Sequence, residues 1–281
     1  MRATRPTSAG QRNRLVNEYS KYLTSSRPEK SLTTGFRRGS GRNAFGRITT
    51  RHKGGGVKRK WREIDFLYLK KDIPAFIRSF EYDPNRSGFI ALVTYKDGEK
   101  KYILLPEGMK IGQAILTSEK APVEPGNRTL LRQIPVGTKV YNIELILGRG
   151  AVLVRSAGTS AEVIAQEGDR TTIKLPSGEL RKVPSANWAS VGSVSNSEHH
   201  FLRLGKAGRM RRKGVRPRVR GTAMNPVDHP HGGGEGRTLT GRRRGPATPW
   251  GKPARGVKTR RKKNRANVFI IERRKNIRNP Q

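Results

Sequence analysis

The stretch that decides the fold is residues 89–105, FIALVTYKDGEKKYILL. Residues 89–95 and 101–105 have the length of single β-strands and are rich in β-branched and aromatic side chains, a composition that favours strands. Asp97 and Gly98 lie between the two runs, and glycine readily adopts the positive φ that a tight hairpin turn requires. The sequence therefore predicts an antiparallel β-hairpin and a surrounding region built from β-structure.

Runs of similar length and composition occur on both sides of this hairpin. A turn is predicted at residues 83–85 (DPN), and a joint containing Pro and Gly at residues 121–137 divides the runs into two groups. Two groups of four or five short strands predict two small β-barrels, since closing a sheet into a barrel removes its exposed edges. The other predicted strands are residues 62–69, 73–81, 140–147, 151–155, 161–166, 171–175 and 180–183.

The charge of the chain is large and unevenly distributed. There are 60 Lys and Arg against 21 Asp and Glu, a net charge of +39 over 281 residues. Residues 1–60 hold 16 basic and 2 acidic side chains (+14), residues 61–200 hold 19 and 16 (+3), and residues 201–281 hold 25 and 3 (+22). This distribution predicts a nearly neutral globular body with two basic arms, and a net charge of this size calls for a polyanionic partner.

Several classes of protein are excluded or disfavoured by what the sequence lacks. The chain has no cysteine, which rules out disulfides, thiol catalysis and cysteine-bound zinc. No apolar run approaches the roughly 20 residues that a membrane-spanning helix needs. The basic N-terminus is not followed by an apolar segment, so it does not have the form of a secretory signal. We therefore predict no membrane partner, and the absence of cysteine suits a reducing compartment.

Three basic segments interleave cations with glycine or proline. They are residues 41–60, 205–220 and 251–265, the first of which has seven cations and five glycines. Such segments cannot bury enough apolar surface to fold alone, and they become ordered when phosphates neutralise them. The planar guanidinium group of arginine can form two hydrogen bonds to a phosphate and can stack on bases. We interpret these segments as RNA-binding arms; the alternatives are a flexible linker and a disordered basic tail for non-specific attachment.

The loop of residues 225–236 (NPVDHPHGGGEG) places close together three side chains that could bind a metal or take part in catalysis. Asp228, His229 and His231 could begin a metal site, but the sequence offers no convincing further ligand. His229 and Asp228 could form an acid–base pair, but no nucleophile stands out nearby. The third interpretation, which we adopt, is a loop fixed by Pro and Gly whose imidazoles contact RNA. Trp250 lies in the same basic third of the chain, where a base, a sugar or another protein is its expected contact.

Several long strings resemble one family. They are residues 46–56 (GRITTRHKGGG), 81–87 (EYDPNRS), 95–105 (YKDGEKKYILL), 155–159 (RSAGT), 204–209 (LGKAGR) and 216–236 (RPRVRGTAMNPVDHPHGGGEG). With these strings the chain resembles, nearly end to end, the family of universal large-subunit ribosomal protein two in its bacterial form. The resemblance implies an all-β core: an OB-fold barrel at residues 61–120 and an SH3-like barrel at residues 121–200. Basic extensions at residues 1–60 and 201–281 would flank the two barrels.

The resemblance also implies a function. The chain would be a structural constituent of the large ribosomal subunit and a primary binder of its rRNA near the peptidyl-transferase region. It would contact small-subunit rRNA through an intersubunit bridge, adjoin other ribosomal proteins, and support tRNA binding and peptide-bond formation. The expected location is the ribosome in the cytoplasm. We expect no cofactor, no metal site and no homo-oligomer.

The predicted RNA contacts lie mainly in the basic segments. They are Arg42, Arg47, Arg51, His52, Lys53, Lys58, Arg59, Lys60, Arg86, Lys206, Arg209, Arg211, Arg212, Lys213, Arg216, Arg218, Arg220, Asn225, Asp228, His229, His231, Arg237, Arg242, Arg243, Arg244, Trp250, Lys258, Arg260, Arg261, Lys262 and Lys263.

Two other functions compete with this one. The first is an enzyme in which His229 acts as a catalytic base for peptide transfer; our hypothesis is instead that His229 and Asp228 secure the fold of their loop against RNA. The second is a DNA architectural protein, which would share the charge but not the quoted strings. It should bind duplex DNA at least as well as structured RNA.

Overall fold

The computed structural model of the chain describes residues 1–35, 39–235, 240 and 245–274. These residues fall into two compact units. The barrel unit comprises residues 1–37, 58–206 and 268–281, and the basic unit comprises residues 38–57 and 207–267. Within the described part of the chain, no helix is long and apolar enough to cross a membrane.

The described secondary structure consists almost entirely of short strands. They are β1 (Arg2–Ala3), β2 (Leu15–Val16), β3 (Thr33–Gly35), β4 (Lys60–Arg62), β5 (Ala75–Glu81), β6 (Ile90–Tyr95), β7 (Lys100–Leu104), β8 (Ala114–Ile115), β9 (Arg128–Leu130), β10 (Lys139–Tyr141), β11 (Ile143–Glu144), β12 (Ala151–Leu153), β13 (Ala161–Glu167), β14 (Arg170–Lys174), β15 (Leu180–Pro184), β16 (Trp188–Val191) and β17 (Ile270–Glu272). The α-helices are α1 (Ala9–Arg12) and α2 (Ala207–Arg212), and single 3₁₀ turns cover Tyr19–Lys21, Leu131–Gln133, Ser197–Phe201, Gly221–Ala223 and Arg265–Phe269.

The first barrel is built around a four-stranded antiparallel sheet in the order β7-β6-β5-β8. The predicted hairpin is confirmed: β6 and β7 pair, Tyr95 N–H donates to Glu99 O at 2.9 Å, and Gly98 has φ 87°. Alternate residues of the strands point into one core that includes Ile77, Val93 and Ile103. These strands form the OB-fold barrel.

The second barrel is built around a seven-stranded antiparallel sheet in the order β17-β15-β14-β13-β10-β16-β9, with β11 and β12 as a separate pair. Its core includes the fully buried Val140, Val163 and Ile173. This is the SH3-like barrel, so the predicted all-β fold with two successive barrels is confirmed. The strand β17 comes from the basic C-terminal segment, and no pattern in the sequence predicted that it would join the sheet.

The N-terminal residues pack onto the barrels. Tyr19 and Leu23 lie against the core of the first barrel, and the ring centroid of Tyr19 is 5.9 Å from that of Phe89. The amino group of Met1 forms an ion pair with Glu198 at 3.0 Å. Residues 1–35 therefore contribute to the barrel unit, whereas residues 39–57 belong to the basic unit.

One predicted strand is wrong and another is interrupted. Residues 63–69 form no strand, because the Asp65 carboxylate accepts hydrogen bonds from the backbone N–H of Leu67 (2.9 Å) and Tyr68 (2.7 Å) and turns the chain. Tyr68 has φ 51° and its ring is buried. The run at residues 140–147 breaks at Asn142, which has φ 53°, and so becomes β10 and β11.

The two barrels share a buried junction. Leu104 from the first barrel packs with Tyr141 and Val194. Close by, the side-chain amide of Asn142 donates to the Tyr68 hydroxyl at 3.0 Å. Arg128, only 1% exposed, donates from Nη1 to the carbonyl of Asn142 at 2.7 Å. The barrels are therefore joined by apolar packing and by hydrogen bonds to the backbone and side chain of Asn142.

Candidate nucleic-acid interface

The N-terminal part of the basic unit is a folded loop. Residues Arg42 and Ile48 form an antiparallel bridge, and the Asn43 side chain accepts hydrogen bonds from the backbone N–H of Phe45 (3.1 Å) and Arg47 (3.0 Å). Gly41 has φ 76°, and a Cβ there would overlap the carbonyl of Thr50. The loop thus depends on glycine for a close backbone approach, and it presents Arg42 and Arg47 as exposed side chains.

Two basic segments that are far apart in the sequence pair within this unit. Lys53 and Val215 form an antiparallel bridge, Gly54 N–H donates to Gly214 O at 2.9 Å, and Val57 N–H donates to Arg212 O at 2.9 Å. The backbone N–H of Arg216 donates to His52 O at 3.0 Å. The structure therefore brings the predicted contacts of residues 51–53 beside those of residues 209–216, three of which lie on α2.

A cavity of about 570 Å³ lies beside this pairing and is lined mainly by residues between positions 40 and 53. Four of its lining side chains are lysine or arginine, and none is acidic. His52, at the cavity wall, has φ 61°, a left-handed conformation that a non-glycine residue adopts only when its surroundings enforce it. The cavity is lined by Ser40, Arg42, Ile48, Thr50, Arg51, His52, Lys53 and Arg216. This arrangement suits an anionic group.

The histidine loop is held together by its own imidazoles. His229 is buried, and its Nδ1 accepts a hydrogen bond from the backbone N–H of His231 at 3.1 Å. The Nε2 of His231 accepts one from the backbone N–H of Ala247 at 2.9 Å. A Cβ on Gly221 would overlap the His229 ring, so this glycine permits the ring to pack against the backbone.

These contacts define what the loop can do chemically. Because each ring nitrogen that accepts a backbone N–H must carry no proton, Nδ1 of His229 is engaged within the loop. Asp228 is exposed, and its backbone N–H donates to Asn225 O at 3.0 Å. No cluster of three or more His, Cys, Asp or Glu that could hold a metal occurs among the residues that the structure describes. The loop has the contacts of a rigid structural element.

Trp250 lies at the tip of a turn in the basic unit. Thr248 N–H donates to Lys252 O at 2.8 Å, Gly251 N–H donates to Thr248 O at 2.9 Å, and Ala247 bridges to Pro253. The indole is 72% exposed, and the guanidinium carbon of Arg51 lies 5.0 Å from its ring centroid. The structure thus brings together two predicted contacts, Arg51 and Trp250, that are far apart in the sequence.

A further predicted contact, Arg86, lies in the barrel unit. Arg86 is oriented by Asp83, whose buried carboxylate accepts from its Nε at 2.6 Å. The guanidinium carbon of Arg86 lies 5.5 Å from the ring centroid of Phe66, and that of Arg155 lies 4.6 Å from the same centroid. Burial and the charge of Arg86 lower the pKa of Arg155. Arg155 is not among the predicted contacts, although the string at residues 155–159 begins with it.

The remaining predicted contacts are dispersed. Lys58, Arg59, Lys60 and Lys206 belong to the barrel unit, where Arg59 donates from Nη1 to Pro84 O at 2.6 Å. Arg218, Arg220, Lys258, Arg261, Lys262 and Lys263 are exposed in the basic unit, as is Arg260, which donates to the Asn267 side chain at 2.8 Å. Arg237, Arg242, Arg243 and Arg244 lie outside the described residues.

The sequence composition of the basic unit completes the description of the interface. It contains 24 Lys and Arg against two acidic residues, Asp228 and Glu235, which is a net charge of +22. Two β-barrels joined to a compact unit of this charge define a structural nucleic-acid-binding protein.

Comparison with known families identifies the nucleic acid and the assembly. The family model described as Ribosomal Proteins L2, RNA binding N-terminal domain, matches residues 29–117. The model described as Ribosomal Proteins L2, C-terminal domain, matches residues 124–251. Together the matches take in more than three-quarters of the chain, and the chain belongs to the ribosomal protein L2 family. It is therefore a structural, RNA-binding protein of the large ribosomal subunit, situated in the ribosome among other ribosomal proteins.

Proposed function

We propose that this protein is a primary binder of large-subunit rRNA near the peptidyl-transferase region, and that its basic unit penetrates the RNA there. In this position it supports tRNA binding and peptide-bond formation, and it contacts small-subunit rRNA through an intersubunit bridge. It acts as one copy, without a cofactor, in ribosomes of the cytoplasm. The observation that carries the proposal is the basic unit itself, in which residues 52–57 pair with residues 212–216.

The pairing matters because it organises charge before RNA is bound. Cations on a free tail lose conformational freedom when they bind phosphate, and this loss opposes binding. Here the backbone of both segments is fixed by hydrogen bonds, while the side chains of Arg51, Lys53 and Arg216 remain exposed. The unit can therefore present a defined pattern of cations to one folded RNA. This pattern adds to the attraction that any basic chain has for phosphate.

We propose that the segments predicted from the sequence have separate roles. The extensions at residues 1–60 and 201–281 supply most of the RNA contacts, the OB-fold barrel at residues 61–120 supplies a second RNA-binding face with Arg86, and the SH3-like barrel at residues 121–200 completes the body. The guanidinium groups of Arg86 and Arg155, both over Phe66, support an RNA-binding face on the barrel unit. A planar guanidinium can bind phosphate while it stacks.

Salt dependence of binding tests the proposed interface. We expect the affinity for large-subunit rRNA to fall steeply as salt rises, because each neutralised phosphate releases counterions. Arg216→Gln should reduce the slope of log affinity against log salt by about one. Lys182→Gln is the matched control, since Lys182 forms an ion pair with Glu167 in the SH3-like barrel and should leave the slope unchanged. Equal slopes for wild type and Arg216→Gln would show that Arg216 does not neutralise an RNA phosphate.

The preference for RNA over DNA separates this function from the architectural alternative. We expect structured large-subunit rRNA to compete the protein away from duplex DNA at the same salt concentration. Duplex DNA that binds at least as well as the rRNA would support the architectural alternative.

His229 serves the fold of its loop in this proposal. Its Nδ1 already accepts a backbone N–H, and its ring is buried against Gly221. In reconstituted particles, His229→Gln should therefore impair assembly and the RNA footprint together with peptide transfer. Intact assembly and an intact footprint with a selective loss of peptide transfer would instead assign His229 a role in the chemistry.

A further inference from the structure

We propose that the basic unit contains a binding site for a single unpaired nucleotide of RNA. The base stacks on Trp250, and a phosphate of the same strand occupies the cavity that is lined by Arg42, Arg51, Lys53 and Arg216. This inference rests on the proposed RNA-binding function and specifies which structural form of RNA one part of the interface recognises.

The first element of the site is an accessible aromatic surface. Trp250 is 72% exposed even though the guanidinium of Arg51 lies over its ring at 5.0 Å. An exposed indole leaves a large apolar surface in water, which is unfavourable in the free protein. A nucleobase can cover that surface, and base–aromatic stacking does not require a particular base because every base has a π-face. Arg51 limits the motion of the ring and adds a cation to the stack.

The second element fixes the position of the indole. The turn at residues 247–253 is closed by two backbone hydrogen bonds, and its first residue, Ala247, is buried. The Ala247 N–H donates to Nε2 of His231, whose own backbone N–H donates to Nδ1 of the buried His229. This series of contacts ties the turn to the histidine loop. His231 is therefore a positioning residue for Trp250.

The third element is a place for the phosphate. The cavity has a volume of about 570 Å³, within the range of about 300–1,000 Å³ that is usual for small-ligand sites. Arg42, Lys53 and Arg216 line it and no acidic side chain does. Arg51 both lines this cavity and covers one side of Trp250. The aromatic surface and the anion site are therefore neighbours, as the base and the phosphate of one nucleotide require.

The arrangement favours an unpaired nucleotide over a duplex. In a double helix the faces of each base are covered by the adjacent bases, so an aromatic side chain can stack only on a base that has left the helix. A protein segment could also cover Trp250, but it would leave the adjoining cluster of cations without anions to neutralise them. The charge of the cavity therefore favours RNA.

Fluorescence of the full-length protein tests the site. In a Trp61→Phe, Trp188→Phe background, Trp250 is the only indole. The probes are oligoadenylate and a fully paired RNA duplex with the same number of phosphates, both at the same salt concentration. We expect oligoadenylate to quench Trp250 strongly and the duplex to quench it little. Trp188 is buried, so its replacement could prevent folding of the background variant. If it does, the difference between the spectra of wild type and Trp250→Phe isolates the Trp250 signal.

Affinities separate stacking from general attraction. Trp250→Ala should weaken oligoadenylate binding by about 5- to 100-fold, the range expected for one lost base–aromatic stack, and should leave duplex affinity within about twofold. Phe45→Ala is the matched control, because Phe45 is an 88% exposed aromatic residue of the same unit outside the site. Oligoadenylate binding by Phe45→Ala should stay within about twofold of wild type.

The positioning role of His231 has its own readout. His231→Ala should abolish quenching by oligoadenylate while duplex affinity is retained, and His231→Gln, which keeps a hydrogen-bond acceptor, should restore much of the quenching. Wild-type affinity of Trp250→Ala for oligoadenylate would overturn the proposal, as would a Trp250 signal that responds only to other large-subunit proteins. Failure of the wild-type protein to bind either RNA at low salt would instead refute the proposed RNA-binding function.

Discussion

The guanidinium carbon of Arg128 lies 4.6 Å from the ring centroid of Tyr68, and this pair joins the SH3-like barrel to the OB-fold barrel. Both side chains are buried and both contact Asn142: Arg128 donates to its carbonyl, and the Tyr68 hydroxyl accepts from its side-chain amide. Burial raises the pKa of Tyr68 and lowers that of Arg128. The junction thus places a cation, a hydroxyl and an amide in an apolar environment where each depends on the others.

Replacement of Arg128 should strongly destabilise the barrels. In Arg128→Lys the charge stays buried, but the planar fork that reaches Asn142 O and the Tyr68 ring is lost, so we expect the free energy of unfolding to fall by about 2–4 kcal/mol. Urea unfolding of the full chain measures this change. Arg132→Lys is the control: its ion pair with Glu119 is exposed on both sides, and it should cost less than about 0.5 kcal/mol. Equal effects of the two substitutions would contradict the assigned role of Arg128.

Stability should decline in alkaline solution. Burial raises the pKa values of Tyr68, Tyr102 and Tyr141, and in Tyr102 the hydrogen bond to Glu81 contributes further. Since the folded-state pKa lies above the unfolded value of about 10, this stability is fully present below about pH 10 and is lost as the pH rises above it. Urea midpoints between about pH 9 and about pH 11.5 measure the loss. Tyr141→Phe removes one ionisable group, so it should make the loss smaller; an unchanged pH dependence would exclude Tyr141 as a contributor.

A methyl group on Gly221 should disturb the histidine loop, although both histidines of the loop are retained. A Cβ at this position would overlap the His229 ring and displace it from its contact with His231. We expect Gly221→Ala to weaken binding to large-subunit rRNA and to reduce incorporation into particles, as measured by filter binding and sedimentation. Gly208→Ala is the matched control, because Gly208 lies in α2 with open space around it and alanine favours a helix. A Gly221→Ala protein that binds and assembles like Gly208→Ala would show that the His229 contact is dispensable.

The strand β17 should protect the sheet edge that it covers. Ile270 is paired with Arg181 on β15, and proline at position 270 would remove a backbone donor and prevent regular pairing. Native-state hydrogen exchange of the peptide that contains β15 should accelerate about tenfold in Ile270→Pro. Ile270→Val, which preserves the backbone, should exchange at the wild-type rate. Unchanged exchange in Ile270→Pro would mean that β15 does not depend on the C-terminal segment.

The sequence predicted best those parts of the fold that depend on local interactions. The hairpin at residues 95–99 needs only strand-forming runs and a glycine with positive φ, and it was found. The run at residues 62–69 has strand-like composition as well, but the bonds from Asp65 to the backbone of Leu67 and Tyr68 override it. No pattern distinguishes an aspartate that turns the chain from one that faces solvent in a strand.

Strands whose partners are distant in the sequence were missed. All four residues of β16 are buried, yet β16 is short and pairs with β9 and β10, so its pattern resembles a loop with some apolar residues. The strand β17 has no buried residue and lies among cations, and it forms a strand because β15 offers an unpaired edge. Such pairings arise only when the sheet is assembled, so the local sequence does not indicate them.

The same distinction holds for the candidate interface. Charge, glycine content and the histidine loop indicated the segments that we propose to bind RNA. The pairing of Gly54 with Gly214 and the bond from Ala247 to His231 join positions that no local signal relates. Arg155 was missed for a similar reason, because only the fold places it over Phe66 with Arg86.

The pairing of β17 with β15 also has a topological consequence. The chain leaves the barrel unit after residue 206 and returns to it at residue 268, so residues 207–267 form a loop that is tied at both ends. Tying a segment at both ends removes conformational freedom from it, because a closed loop has fewer arrangements than a free tail. Opening the β15–β17 pair would convert residues 207–267 from a closed loop into a segment that is attached at residue 206 alone.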